Sequence, residues 1–230
     1  MGHLITVEGG EFTGKTSVVV PTLYAVCQAL GIPTLKSREP GGTPEAEVIR
    51  QLIFEKLRKG AKPKELALLF NKARKVHLDS IVHPFLHSHP EGVVILDRYC
   101  DSTFVYQGAE AGVPIQTLLS FHEKYAGNYF PDFTILLHFP RGVFEKTILE
   151  RSQNNSENGR DKTVWDESDM KTHRTRQKHY LSLPKMFKDM NIPRVFAKVD
   201  ASRDKSLVQE HVSRKLLNFL KKIRRGVRLS

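Results

Sequence analysis

The residues with the clearest chemistry lie near the start of the chain. Gly9-Gly10-Glu11-Phe12-Thr13-Gly14-Lys15-Thr16-Ser17 follows the apolar run Leu4–Glu8 and leads into a helical pattern. It reads G-x-x-x-x-G-K-[ST] in a strand–loop–helix setting. Gly9 and Gly14 let the backbone turn so that its N–H groups face phosphate oxygens. The helix that follows adds the positive end of its dipole. Lys15 neutralises charge on the β- and γ-phosphates, and the Thr16 hydroxyl can ligate Mg²⁺. The expected ligand is a nucleoside triphosphate, ATP first among them. Such a loop alone does not name a reaction. A GTPase needs a base-reading Asn-Lys-x-Asp, but Asn71-Lys72 continues Ala-Arg inside a helical pattern. A helicase motor needs more chain. A compact kinase fits 230 residues better.

Three further stretches could build a site for an acceptor. Ser37-Arg38-Glu39-Pro40-Gly41-Gly42-Thr43-Pro44 has a Pro-Gly-Gly centre that cannot continue a strand or helix, so it predicts a shaped loop with Arg50 on the helix beyond. Leu69-Phe70-Asn71-Lys72-Ala73-Arg74 places Phe70 and Arg74 four residues apart, on one helical face. A ring there can stack on a base, and a guanidinium can grip a base edge or a phosphate. Read in isolation, the same pair fits a core phenylalanine and a solvated arginine. Val93-Val94-Ile95-Leu96-Asp97-Arg98-Tyr99 is a buried-strand run ending in a carboxylate. Asp97 at that position can help hold Mg²⁺ or position an acceptor, and Arg98 can offset phosphate charge. Ser102 follows, then Thr103, Tyr106 and Gln107 at spacings of three and four.

These residues need elements to position them. Strand-like runs occur at Leu4–Glu8, Pro33–Ser37, Gly92–Asp97, Phe133–Phe139 and Arg194–Val199. Helical patterns lie between them: Val18–Leu30, Pro44–Leu57, Lys64–Leu86, Pro114–Tyr125, Val143–Leu149, Met170–Met190 and Leu207–Ile223. The alternation predicts an α/β fold, a five-stranded parallel sheet with helices on both faces. Ligands then bind beyond the carboxyl ends of the strands, so motifs directly after strand-like runs matter most. Ser152–Asp161 is polar and aperiodic, which reads as a surface loop or a mobile lid.

Taken in order, Gly9–Thr16, Arg38–Thr43, Leu69-Phe70 with Arg74, and Asp97-Arg98-Tyr99 through Tyr106-Gln107-Gly108 resemble the thymidylate kinase family, of the bacterial-like kind. The resemblance covers nearly the whole chain and is weakest at the lid and C-terminus. It implies a P-loop nucleoside monophosphate kinase fold, one domain over 1–230, with a lid at about 151–168 and a basic helix at about 205–225. It implies Mg²⁺- and ATP-dependent phosphorylation of dTMP to dTDP by a cytoplasmic homodimer. Phe70 then stacks on thymine, with Arg74, Thr103 and Gln107 around the base and Ser102 nearby. Glu11 matches the acidic residue near the 3′-hydroxyl, and Tyr106 lies under the sugar. Arg38, Arg50 and Arg98 are the monophosphate contacts, supported by Glu39, while Lys15, Thr16 and Asp97 serve ATP and Mg²⁺. One branch of the family carries an arginine inside the P-loop, where this chain has Phe12. The catalytic arginine is therefore expected from the lid, with Arg151 and Arg160 as candidates and Lys162 a poorer one. A kinase for dUMP or UMP, or a P-loop nucleic-acid-binding ATPase, are the rival readings.

Composition bounds these readings. Lys and Arg number 36 against 25 Asp and Glu, a net charge of +11. Seven basic and no acidic residues fall between Arg214 and Ser230, so +4 is left for the other 213 residues. That pattern favours phosphorylated small ligands in a pocket over a nucleic-acid backbone, and reads the tail as a solvated helix face. Hydrophobic residues make up 40%, enough for a core. No apolar run approaches the about 18 residues a membrane span needs, and no secretory signal is visible. Cys27 and Cys100 are too few for a disulfide framework, so a reducing compartment and a packing role are expected. His83 and His87 have a zinc-compatible spacing, but Pro84 and Pro90 disturb the helix, leaving a solvated helix end as the expectation.

Overall fold

A computed structural model describes residues 2–157 and 164–224. Five strands, β1 (His3–Gly9), β2 (Thr34–Arg38), β3 (Val93–Asp97), β4 (Phe133–His138) and β5 (Val195–Asp200), form one sheet in the order β2-β3-β1-β4-β5. Every pairing is parallel. The strands read as near-continuous apolar runs because both faces are covered. Alternation within β1 divides the core: Ile5 and Val7 face α1 (Val20–Ala29) and α9 (Lys205–Arg224), whereas Leu4 packs with Val94, Leu96 and residues of α8 (Met170–Asp189). Cys27 and Cys100 are buried and unpaired. Among the described residues no helix is long and apolar enough to cross a membrane.

Between these elements lie α2 (Pro44–Arg58), α3 (Pro63–His77), α4 (His83–Ser88), α5 (Cys100–Thr103), α6 (Ile115–Ala126) and α7 (Phe144–Glu157). The Thr43 hydroxyl accepts from Ala46 N, and Pro44 occupies the first turn, so α2 starts where the Pro-Gly-Gly loop ends. The run Lys64–Leu86 is helical throughout but not uniform: a wide π-type turn at Leu78–Val82 joins α3 to α4. That turn directly precedes Pro84, whose ring and missing N–H spoil regular α-geometry upstream. Similar wide turns occupy Lys15–Val19 and Phe104–Glu110, both beside the site.

One element differs from the sequence pattern. The helix α7 continues through Ser152 to Glu157, into the stretch that periodicity leaves as a loop. Phe144 and Ile148 are buried and anchor its start. Once nucleated, a helix gains one hydrogen bond per added residue, whatever the polarity of that residue. Arg160 and Lys162, in the centre of the expected lid, lie outside the described residues, as do 225–230 of the basic tail.

Candidate active site

Strand register assembles the first part of the site. Val7, Asp97 and Arg38 stand abreast at the carboxyl ends of β1, β3 and β2. Gly9 sits two residues further along β1, against Leu137 of β4. Its φ is 141°, and a Cβ there would lie 2.6 Å from the Leu137 carbonyl oxygen, so only glycine fits. Gly14 is left-handed, and so is Phe12, at φ 63°. Phe12 is almost buried, with its ring edge-on to His173 at 5.8 Å.

The phosphate-side cations converge on this loop. Lys15 is buried and its Nζ donates to the carbonyls of Gly9 (3.1 Å) and Gly10 (2.6 Å). Burial and the neighbouring Arg98 lower its pKa to about 8. Arg98 donates from Nη1 to Gly9 O at 3.1 Å, Ser102 Oγ at 3.0 Å and Tyr180 Oη at 2.6 Å. Its Nη2 reaches Glu11 at 3.3 Å. The Thr16 hydroxyl donates to the Asp97 carboxylate. A hydroxyl and a carboxylate, both hard oxygen donors, thus meet at the end of the P-loop, which suits Mg²⁺.

Arg38 and Arg50 flank the Pro-Gly-Gly loop. Arg38 Nη2 donates to Glu47 at 2.7 Å and Arg50 Nη1 to Pro40 O at 2.8 Å. A cavity of about 510 Å³ is lined by the P-loop together with Arg38, Arg50, Asp97, Arg98 and Arg151. Arg151 donates to Phe12 O (2.9 Å) and Ala201 O (2.6 Å), so it bridges the P-loop to the turn after β5. The expected acceptor residues Glu39, Phe70, Arg74, Arg98, Ser102, Thr103, Tyr106 and Gln107 line an adjoining slot together with Trp165.

Glu39 does not support the phosphate-side arginines. It is buried and turned toward α3, accepting from Arg74 Nε at 2.9 Å and pairing with His77 Nδ1 at 3.1 Å. Arg74 is itself only 2% exposed, and a buried guanidinium needs a carboxylate partner. Its remaining nitrogens donate to Asn71 (2.9 Å) and Thr103 (3.2 Å), which fixes the fork at the floor of the slot.

Glu11 is held more firmly than its place in a loop suggests. Tyr106 Oη donates to it, Arg176 Nη1 lies at 2.7 Å, and His173 Nδ1 at 3.4 Å. Burial pushes the Glu11 carboxyl up, but His173, Arg98 and Arg176 outweigh it and hold the pKa well below the usual range. Arg176 also forks onto Glu110, with two contacts of 2.8 Å. Sequence reasoning missed Arg176, His173 and Tyr180. The signal was there: Arg176 and Tyr180 share the helical stripe of Leu183 and Phe187, so an arginine stands in a core-facing row. Glu8 was missed too. It accepts from Tyr99 N (2.7 Å) and Ser102 Oγ (2.8 Å), and burial together with nearby Asp101 raises its pKa to about 8.

A P-loop and a carboxylate at adjacent strand ends, opening on a slot with a ring at its mouth and an arginine fork at its floor, define a P-loop phosphotransferase of the nucleotide-kinase class. The thymidylate kinase family model matches residues 7–212. A thymidylate kinase of Bacillus velezensis is 34% identical over 223 residues, covering 96% of this chain and 98% of that one. Those of Staphylococcus haemolyticus (31% over 221 residues, 96% and 100%) and Syntrophotalea carbinolica (33% over 185 residues, 80% and 82%) are similar too. The chain belongs to the thymidylate kinase family.

Proposed function

We propose that the chain transfers the γ-phosphoryl group of ATP to the phosphate of dTMP, giving dTDP and ADP. The bond from the γ-phosphorus to the β–γ bridging oxygen breaks as one forms to an acceptor phosphate oxygen. That oxygen is already largely ionised near neutral pH, so no strong base is needed. The work is positioning and charge neutralisation. The observation that carries this reading is Arg98: one guanidinium touches the P-loop at Gly9 O and Glu11 and the acceptor slot at Ser102. That position suits a cation shared between the donor and acceptor phosphates.

Lys15 neutralises donor phosphate charge, and Arg38 and Arg50 receive the acceptor phosphate from the other side. Thr16 and Asp97 would hold Mg²⁺, which offsets phosphate charge when bound. Phe70 offers a face to thymine, the Arg74–Thr103 pair and Gln107 read its edge, and Glu11 with Tyr106 meets the sugar. Arg151 is tied to two backbone carbonyls and shapes the donor side of the cavity; Arg160 is the second lid candidate. We read the whole chain as one domain acting as a cytoplasmic homodimer. The test is ADP release with ATP, Mg²⁺ and each of dTMP, dUMP, UMP, CMP and AMP. Turnover with dTMP foremost is expected. Preference for another monophosphate transfers the reading to that acceptor, and ADP release driven by DNA or RNA instead defeats it.

A further inference from the structure

We infer that Trp165 is a substrate-contacting residue: the second stacking wall for the acceptor's pyrimidine, opposite Phe70. The inference rests on the acceptor-slot reading above and adds a residue to it. Neither the P-loop nor the acceptor motifs contain Trp165.

Its surroundings carry the case. The indole meets three rings from three elements: Phe54 of α2 at 5.6 Å, Phe70 of α3 at 6.3 Å and Tyr106 at 5.3 Å between centroids. It lines both the phosphate cavity and the base slot. Its backbone is anchored too. The Trp165 carbonyl accepts from Ser168 N at 3.3 Å and from Arg176 Nη1 at 3.4 Å, the nitrogen that also binds Glu11. One buried guanidinium thereby ties the indole's position to the carboxylate assigned to the sugar.

The spacing points to a sandwich. A flat ring stacked on both faces needs about 7 Å between its neighbours, twice a van der Waals contact. Phe70 and Trp165 are 6.3 Å apart and inclined by 43°. The cavity in front of them has a volume of about 40 Å³. With Arg74 and Thr103 fixing the floor, the base gains its room by flattening that tilt and moving the indole outward by less than an ångström or so. Trp165 then covers the exposed face of the base and excludes water from the edge contacts.

Trp165 is the only tryptophan, so its emission reports the site directly. The test titrates wild type, Trp165→Phe, Trp165→Ala and Phe70→Ala with dTMP, dUMP and UMP without ATP, binding being followed by calorimetry and wild-type emission. Steady-state kinetics run in parallel. A saturable emission change with the calorimetric midpoint is expected. Trp165→Ala should raise KM for dTMP about tenfold, with a smaller fall in kcat and an unchanged KM for ATP. Trp165→Phe should restore most of the loss, which a merely structural indole does not predict. If Trp165→Ala fails to fold, the emission titration and Trp165→Phe still decide. Wild-type turnover of dTMP with no emission response, or with an unchanged KM in Trp165→Ala, overturns the inference. If wild type turns over no monophosphate, the kinase reading falls separately. An emission response to any pyrimidine monophosphate then still supports the stacking wall, and silence toward all three overturns it.

Discussion

Lys15 is structurally modest, yet the proposed transfer gives it a decisive charge-neutralising role. Its ammonium rests on carbonyls of its own loop, so replacing it removes few long-range contacts. Lys15→Ala should therefore keep a near-native circular dichroism spectrum and melting curve while kcat falls about 10³-fold or more. Turnover close to wild type would remove the lysine from the mechanism. Glu8 makes a different prediction. Its folded pKa, about 8, lies above the ordinary value of 4.5. Between those values the native state binds a proton that the unfolded chain has released, so stability falls as pH rises from about 4.5 through about 8. Glu8→Gln imitates the protonated form and keeps an acceptor for Tyr99 N. Thermal melts at pH 5 to 9 should show a flatter decline for the variant, with the larger gain at the alkaline end. Parallel curves would mean that Glu8 is ionised in the native protein.

At the scale of elements, α8 links the acceptor site to the core. Arg176 reaches Glu11 and Glu110 from a row it shares with Tyr180, Leu183 and Phe187. Removing it takes the nearest cation from the buried Glu11 carboxylate and leaves Arg98 and Tyr106 to hold it, at a cost toward the lower end of the about 3–5 kcal/mol for a broken buried pair. Arg176→Leu should thus lower Tm by roughly 10 °C in a chain of this size. It should also raise KM for dTMP more than KM for ATP, since Glu11 and the Trp165 carbonyl both lose their anchor. Glu110→Gln, at a more exposed partner, should do much less. A Tm shift without any KM asymmetry would confine Arg176 to a packing role.

At the scale of the molecule, the net charge of +11 resolves into two populations. Lys15, Arg38, Arg50 and Arg98 line one cavity at the strand ends, the one proposed for the phosphates. The C-terminal basic residues from Arg214 to Arg224 belong to α9, whose apolar face (Val208, Val212, Leu216, Phe219, Leu220) completes one core layer. Among the described residues this packing runs on to the half-buried Ile223, and deleting Gly226–Ser230 beyond it should leave turnover and Tm unchanged. A clear loss of either would give the tail a part in the enzyme.

Local sequence determined a good deal here. The P-loop, the alternation of strand and helix, and the residues that line the cavity and its adjoining slot were legible because each rests on short-range spacing. A loop geometry, a period of 2 or 3.6 and a carboxylate at a strand end are all written within about ten residues. The pairing of charges was not legible. Glu39 meets Arg74 and His77 rather than the phosphate-side arginines, and Glu11 meets Arg176 from 165 positions away. Trp165 carried no functional signal in the chain, yet it stands against three rings where the slot meets the phosphate cavity. Such contacts depend on which helix face turns inward and how far helices travel across the sheet. Buried charges and large rings must also find partners there, and only the packed structure decides those matters.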